Sequence, residues 1–430
     1  MRRDLWYLTL LALGLFFLFS GGTSEAAVYT QCPCYLLDAN GNPDPSQLDP
    51  AKGAVYNPAT GNVECSYTDA LGPHEVVCKS LSAGDGHVYM ADRDRTGADP
   101  TIGDTYVFGF SDVTGVANDE VMMVGMLATN ISAPTIHLKE GQEFYLSLTN
   151  VGMIERPDLF DPHTVHYHGF ANAAPIFDGE PMASGGINMG STFTYYYNNV
   201  EPGTYMYHCH VEASEHMQMG MLGNLYVRPA QDDDDAAKAL GNPAYTGFAY
   251  NDCAIPGDPL CGTTGYHVAY SLQETGMDPK FHHADGSYNP LDFASMDDKY
   301  LLFNGRGYPD TVDLNPIANI YGHNSQNTNA LITATQGQKI LLRISSLSTT
   351  DFFTVTLLGM KMRVVGQGAR LLSDPYTTSS ITLGGGEGVD VIIDTTGVAS
   401  GTYFLYTTNL NHLANNGEDF GGMMTEIVIN

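Results

Sequence analysis

Apolar and polar residues alternate along most of this chain in short runs. His87–Met90, Thr105–Phe110, Thr135–Leu138, Glu143–Leu148, Thr164–Phe170, Thr192–Tyr197, Thr204–His210 and Leu222–Val227 are β-branched or aromatic stretches bounded by turn residues. A period of two turns one face of each strand to a core and the other away from it. Eight such strands predict a Greek-key β-sandwich. A second set predicts a second sandwich: Tyr300–Phe303, Lys339–Ile344, Phe353–Leu358, Ile381–Leu383, Val389–Ile393, Thr402–Tyr406 and Met424–Ile429. No long helical periodicity runs through either half.

The pattern divides the chain. Residues 1–26 carry Arg2 and Arg3, an apolar run from Leu8 to Phe19 and the small-residue site Ser24-Glu25-Ala26, and read as a secretory signal peptide. Residues 27–84 are rich in Gly, Pro, Asn and Asp and read as an irregular extension. Within them Asp38–Asp44 has the spacing of a calcium loop but no closing Glu, so a turn is expected. Residues 85–230 form the first sandwich. An acidic linker, 231–251, opens on Asp232–Asp235. Residues 252–430 form the second sandwich.

Composition narrows the partners. Forty-eight acidic residues against 18 basic ones leave a net charge of −30, a poor surface for nucleic acid or anionic membranes. Of seven cysteines, Cys32, Cys34, Cys65 and Cys78 cluster early and Cys253 and Cys261 stand close together. Three disulfides are expected in an oxidising compartment. Cys253–Cys261 is the obvious pair; the other four allow three pairings. A secreted or periplasmic location follows.

Cys209 lies in a different setting. Six of the fourteen histidines fall in two runs, His163-Thr-Val-His-Tyr-His-Gly169 and His208-Cys-His210 with His216 behind it. Side chains alternate along a strand. His166 and His168 therefore share a face, as do His208 and His210, while His163 and Cys209 take the opposite ones. Paired strands would sort them into two clusters. One is His163, Cys209 and His216 with Met221 nearby: two imidazoles, a thiolate and a weak thioether, the ligand set of a blue-copper site. The other, His166, His168, His208 and His210, is all imidazole and suits copper, zinc or iron. The methionine beside the Cys–His set favours copper.

These runs resemble those of the multicopper oxidases, the laccase-like family built of cupredoxin domains. Ala133–Ile136, Gly141–Phe144, Phe177–Gly179 and Gly203–Tyr205 are similar to that family's first-domain landmarks, and Asn304–Pro309 to its second. The resemblance spans residues 85 to 430. It implies type 1 copper at His163, Cys209, His216 and Met221, and half of a type 2/type 3 copper cluster at His166, His168, His208 and His210. The chain departs from the family in its Cys-to-Met interval. Met219 lies ten residues after Cys209 and Met221 twelve. Met221 keeps the His-to-Met interval of five and is preferred, with Met219 the runner-up.

The second half is an internal repeat. Phe353-Thr-Val-Thr-Leu-Leu-Gly359 lies over His163–Gly169, and Gly401-Thr-Tyr-Phe-Leu-Tyr-Thr-Thr408 over Gly203–His210. Every histidine of the motifs is replaced, and His412 and His323 restore no H-x-H pair. The resemblance implies a trinuclear cluster of eight histidines, of which one chain offers four. Either a second copy faces the first, or a smaller site forms, or the blue centre works alone. The expectation is an exported copper-dependent oxidoreductase that passes electrons from a phenolic or metal-ion donor to dioxygen, a homo-oligomer if a full cluster forms. The alternative is an extracellular blue-copper electron carrier without oxidase activity. A copper nitrite reductase is disfavoured because His210, not an apolar residue, follows Cys209. Asp161 and Asp178 flank the first run and are candidates to orient imidazoles. No G-x-S-x-G or H-E-x-x-H run points to a hydrolase.

Overall fold

The computed structural model describes residues 29–93, 103–171, 173–198, 200–234, 242, 244–253 and 259–430. The expected signal peptide and residues 235–241 and 243 of the acidic linker lie outside these residues. No helix among them is long and apolar enough to cross a membrane.

Among the described residues the first sandwich contains ten strands: β1 (Val55–Asn57), β2 (Asn62–Asp69), β3 (Gly72–Tyr89), β4 (Asp104–Asp112), β5 (Ile136–Lys139), β6 (Glu143–Gly152), β7 (His166–Tyr167), β8 (Thr192–Tyr197), β9 (Gly203–His208) and β10 (Leu222–Arg228). One sheet runs β8-β6-β3-β2-β1, with β4 also on β3; the other runs β5-β10-β9-β7. β3 pairs parallel with β6, and β5 parallel with β10. Their inner faces bury Leu81, Phe108, Phe110, Leu146, Leu148, Tyr195, Tyr207 and Leu225 in one core.

The stretch 27–84 is less irregular than its composition suggests. β3 runs for 18 residues straight through position 84. Its glycines are packing devices here. A Cβ on Gly86 would stand 3.2 Å from the carbonyl of Leu127, so glycine lets the 127–130 segment lie against the strand. Disulfides Cys32–Cys78 and Cys34–Cys65 staple the start of the chain to this sheet, and Cys253–Cys261 closes the third. Asp38 accepts the amides of Asn40 and Asn42, at 2.8 and 2.9 Å, in the expected turn.

The second sandwich repeats the plan. Its strands are β11 (Val268–Met277), β12 (Tyr300–Phe303), β13 (Ile332–Ala334), β14 (Lys339–Ser346), β15 (Phe353–Leu357), β16 (Met362–Gln367), β17 (Arg370–Thr378), β18 (Ser380–Leu383), β19 (Glu387–Asp394), β20 (Gly401–Thr407) and β21 (Met424–Ile429). The sheets run β17-β16-β19-β14-β11-β12 and β13-β21-β20-β15-β18. β11 pairs parallel with β14 and β13 with β21, as β3 does with β6 and β5 with β10. Two short helices matter below: α1 (Ala213–Gln218), in the loop from β9 to β10, and α2 (Pro279–Gly286), between β11 and β12.

Candidate metal centre

Strand pairing sorts the chemistry. β9 lies between β10 and β7, with His208 opposite His166 and Tyr207 opposite Tyr167. Residues opposite one another point the same way. Even-numbered residues of β7 and β9 thus share one face, and Cys209 and His163 share the other. His163 is held by a two-way bridge to Ile187, and Asn150 braces that loop by donating to the carbonyls of Asp161 and Ile187.

On the inner face, Cys209 is the free cysteine among the described residues, and it is buried. Its sulfur lies 3.2 Å from Nδ1 of His216 and 3.9 Å from Nδ1 of His163. The Thr164 amide donates to the same sulfur at 3.5 Å. Met221 is reached through the backbone: the Cys209 amide donates to the Met221 carbonyl at 3.2 Å, one step beyond the last registered pair, His208 with Leu222. Phe108 meets the His216 ring edge-on, centroids 5.7 Å apart. Burial works against a charge on His216, yet the Cys209 sulfur and the Asp161 carboxylate, 3.8 Å from Nε2, carry its pKa up to about 10. A field that favours a proton there favours a metal cation. Burial, with His216 alongside, holds His163 well below the usual histidine value.

The outer face carries the imidazoles. His166 Nδ1 lies 2.8 Å from the Asp178 carbonyl, His208 Nδ1 2.7 Å from the Cys209 carbonyl and His168 Nδ1 3.4 Å from the carbonyl of Gly386 in the second sandwich. A carbonyl only accepts, so each Nδ1 carries the proton and each Nε2 presents its lone pair. The Nε2 atoms of His168 and His208 are 2.9 Å apart. Two acceptors that close repel unless a cation stands between them, and the donor set of His166, His168 and His208 fits a metal ion on that ground. Burial lowers His168 and pushes His208 down to about 3, which keeps both neutral. The His210 ring completes the set, 4.8 Å from that of His166 and 5.5 Å from that of His208. Gly179 makes the Asp178 contact possible: at φ +79° it passes so close to the Val165 carbonyl that a Cβ would stand 1.9 Å from that oxygen.

All eight expected residues thus fall in one place, in two sets separated by the thickness of a strand. The sequence flags Asp161 and Asp178, and both lie beside imidazoles. It gives no sign of the Thr164 amide, the Asn150 brace, Phe108 or Gly386, since none belongs to a histidine motif.

A relic is also hidden from the sequence. In the second sandwich the Thr407 amide donates to the Met423 carbonyl at 3.0 Å and the Met423 amide to the His412 carbonyl at 3.0 Å. In the first, Met221 donates likewise to His216 at 2.8 Å. His412 Nε2 lies 3.9 Å from Asp351, much as His216 Nε2 lies 3.8 Å from Asp161, and the His412 ring packs edge-on against Phe353, which takes the place of His163. His412 and Met423 therefore occupy the places of His216 and Met221. Spacing conceals them. Met221 follows His216 by five residues, but Met423 follows His412 by eleven (423 − 412), because the Ala414–Asn415/Glu418–Asp419 hairpin is inserted between them.

Comparison with known proteins identifies the family. Two multicopper oxidase family models match the chain, over residues 112–232 and 275–427, together more than half of it. Multicopper oxidase MmcO of Mycobacterium tuberculosis is 26% identical over 284 residues, covering 62% of this chain and 47% of that protein. Copper resistance protein A of Escherichia coli is 25% identical over 320 residues, covering 70% and 46%. The chain thus spans about half the length of the curated relatives it matches. Among solved structures, the blue copper oxidase from Nitrosomonas europaea superposes with a TM-score of 0.57 at 21% identity, covering 81% of this chain and 85% of that one. Repeated sandwich, paired histidine strands and family models converge: the chain belongs to the multicopper oxidase family.

Proposed function

We propose that this protein is an extracytoplasmic copper oxidoreductase that takes electrons singly from a phenolic or metal-ion donor and delivers them to dioxygen. His163, Cys209 and His216 would hold a type 1 copper, with the Met221 thioether as weak axial ligand. His166, His168, His208 and His210 would hold copper of type 2 or type 3. Copper, when bound, supplies one-electron redox chemistry at a thiolate-tuned site and an oxygen-reducing site beyond it.

The observation that carries the reading is the back-to-back arrangement across β9. Cys209 is bonded directly to His208 and His210, so the two sets share one short covalent path. The protein's own work is positioning. Carbonyls of Asp178 and Cys209 fix two imidazole tautomers, and the Thr164 amide stabilises negative charge on the sulfur. Complete burial keeps water from the thiol. One chain supplies four of the family's eight histidines, so a second copy completing the cluster is part of the proposal. The three disulfides and the acidic surface support an oxidising, extracytoplasmic location.

Oxygen uptake by copper-loaded protein with a phenolic donor tests this directly; no uptake by fully loaded protein defeats it. A second reading, an electron carrier using the blue site alone, is favoured by the half-complete imidazole set. Copper counting separates the two: roughly one per chain supports the carrier, and two or more the oxidase.

A further inference from the structure

The outer face of the second sandwich holds a cavity that the copper chemistry does not use. Sheet β17-β16-β19-β14 turns Ile340, Leu342, Met362, Val364, Val391 and Ile393 into the core. Their neighbours along each strand therefore face outward. Register orders that outer face: Arg363 stands between Thr377 and Ile392, and Asp394 opposite Lys339. Lys361, two residues before Arg363, falls on the same side. These side chains wall a cavity of about 410 Å³ together with Thr263 and Val398.

Positive charge collects here in a chain whose net charge is −30. Among the described residues eight lysines and arginines are ion-paired, Lys79 with Asp112 and Arg343 with Asp390 among them. Lys339, Lys361 and Arg363 are in none of those pairs. Lys339 Nζ donates to the Tyr245 hydroxyl at 2.8 Å and Arg363 to the Thr263 carbonyl at 2.9 Å, and neutral partners leave both charges whole. Lys361 is exposed. Three cations facing one carboxylate, Asp394, leave a surplus of two (3 − 1). Asp394 is itself engaged, accepting from the Thr396 amide at 2.9 Å. Burial works to raise its pKa, yet hydrogen bonds from Thr396 and the charges of Lys339 and His267 hold it below the usual carboxylate value. The field in the cavity is therefore positive. The Thr263 hydroxyl is buried with no hydrogen-bond partner among the described residues. A buried hydroxyl left unpaired costs free energy that an oxygen acceptor would recover. The volume suits a small molecule.

We propose that this cavity binds a small oxyanion carrying two negative charges, a dicarboxylate or a phosphate, held by Lys339, Lys361 and Arg363 with a hydrogen bond from the Thr263 hydroxyl. The guanidinium of Arg363 spends one donor on the Thr263 carbonyl and keeps others for the oxygens of an anion. Binding neutralises the surplus charge and satisfies the hydroxyl in one step. None of these residues belongs to the thiolate or imidazole sets, so the site stands whether the chain is an oxidase or an electron carrier.

Calorimetry of the copper-loaded chain at fixed ionic strength tests this, with succinate and inorganic phosphate as probes and acetate as the singly charged control. The expected result is one succinate or one phosphate per chain, bound roughly tenfold more tightly than acetate. Lys361→Gln and Arg363→Gln should each weaken that binding by roughly tenfold. Asp394→Asn should tighten it, because the one opposing charge is gone. Lys280→Gln, at an exposed lysine of α2 outside the cavity, should leave it unchanged. Arg363→Gln gives up the bond to Thr263 and could disturb the fold; Lys361→Gln gives up none and then decides alone. Tighter succinate identifies the carboxylate class and tighter phosphate the phosphate class, and either supports the site. No binding at about 10 mM probe, binding indifferent to Lys361→Gln, or an equal loss in Lys280→Gln overturns it.

Discussion

The amide of Cys209 donates to the carbonyl of Met221 at 3.2 Å, which sets the two residues opposite each other across β9 and β10. Opposed residues turn their side chains to one face, so the thioether of Met221 belongs beside the thiol. Met219 is equally buried, but its carbonyl is spent on the Phe108 amide. Met221→Gln should therefore lower the reduction potential of the blue centre and shift its visible band, because a harder axial donor favours the cupric state. Met219→Leu should move neither. Potentiometric titration of the three proteins checks this, and equal shifts in both variants would reassign the ligand.

The same relation in the second sandwich, Thr407 with Met423, makes a constructive prediction. His412 and Met423 already stand where His216 and Met221 do, and Nδ1 of His412 is buried with no partner. Phe353→His with Thr407→Cys supplies the two missing donors. The double variant should bind one additional copper per chain and gain a second thiolate-to-copper band. Removing His412 from it should abolish that band. A folded double variant without the band would mean that the longer loop no longer closes on the site.

How much of the fold and the site is legible in the sequence follows from what each signal depends on. Face alternation depends on parity alone, so counting residues is enough to separate His163 and Cys209 from His166 and His208. Strands with alternating residues, such as Thr192–Tyr197 and Met424–Ile429, run from end to end as expected. β3 is half hidden because Gly84 and Gly86 read as turns, whereas their role is to admit a neighbouring segment. Met362–Gln367 and Arg370–Thr378 escape the pattern, as does most of Val268–Met277; the last is buried toward both sandwiches and so carries polar residues such as Gln273 and Glu274 in its middle. Contacts between distant segments, such as Gly386 on His168, leave no local pattern at all.

Glu274 offers a test of stability against pH. It lies on the core-facing side of β11, in line with Leu272, fully buried, and neither carboxyl oxygen has a hydrogen-bond partner. Burial raises its pKa well above 4.5. The folded chain therefore keeps the proton while the unfolded chain releases it above pH 4.5. Stability from this group is whole below that pH and is lost as pH rises toward the folded value, by ~1.4 kcal/mol per unit. Glu274→Gln removes the dependence. Unfolding free energies of the two proteins should differ least near pH 4 and diverge as pH rises above 4.5, in favour of the variant. Parallel curves would mean that Glu274 is ionised in the fold.

The four imidazoles on the outer face make the final prediction, because the proposed cluster needs eight and one chain offers four. If a second copy supplies the rest, copper and assembly must be linked: an ion bound between two chains binds only the associated form and so stabilises it. Sedimentation of dilute protein should then move to larger species as copper is added, and chelation should reverse it. His208→Phe removes an Nε2 that faces His168 at 2.9 Å. It should end the copper-driven association and reduce bound copper to roughly one per chain, with the blue band kept. Cys209→Ser should do the reverse, abolishing the blue band while association persists. Association in His208→Phe undiminished from wild type would sever the link and place the subunit contact elsewhere on the surface.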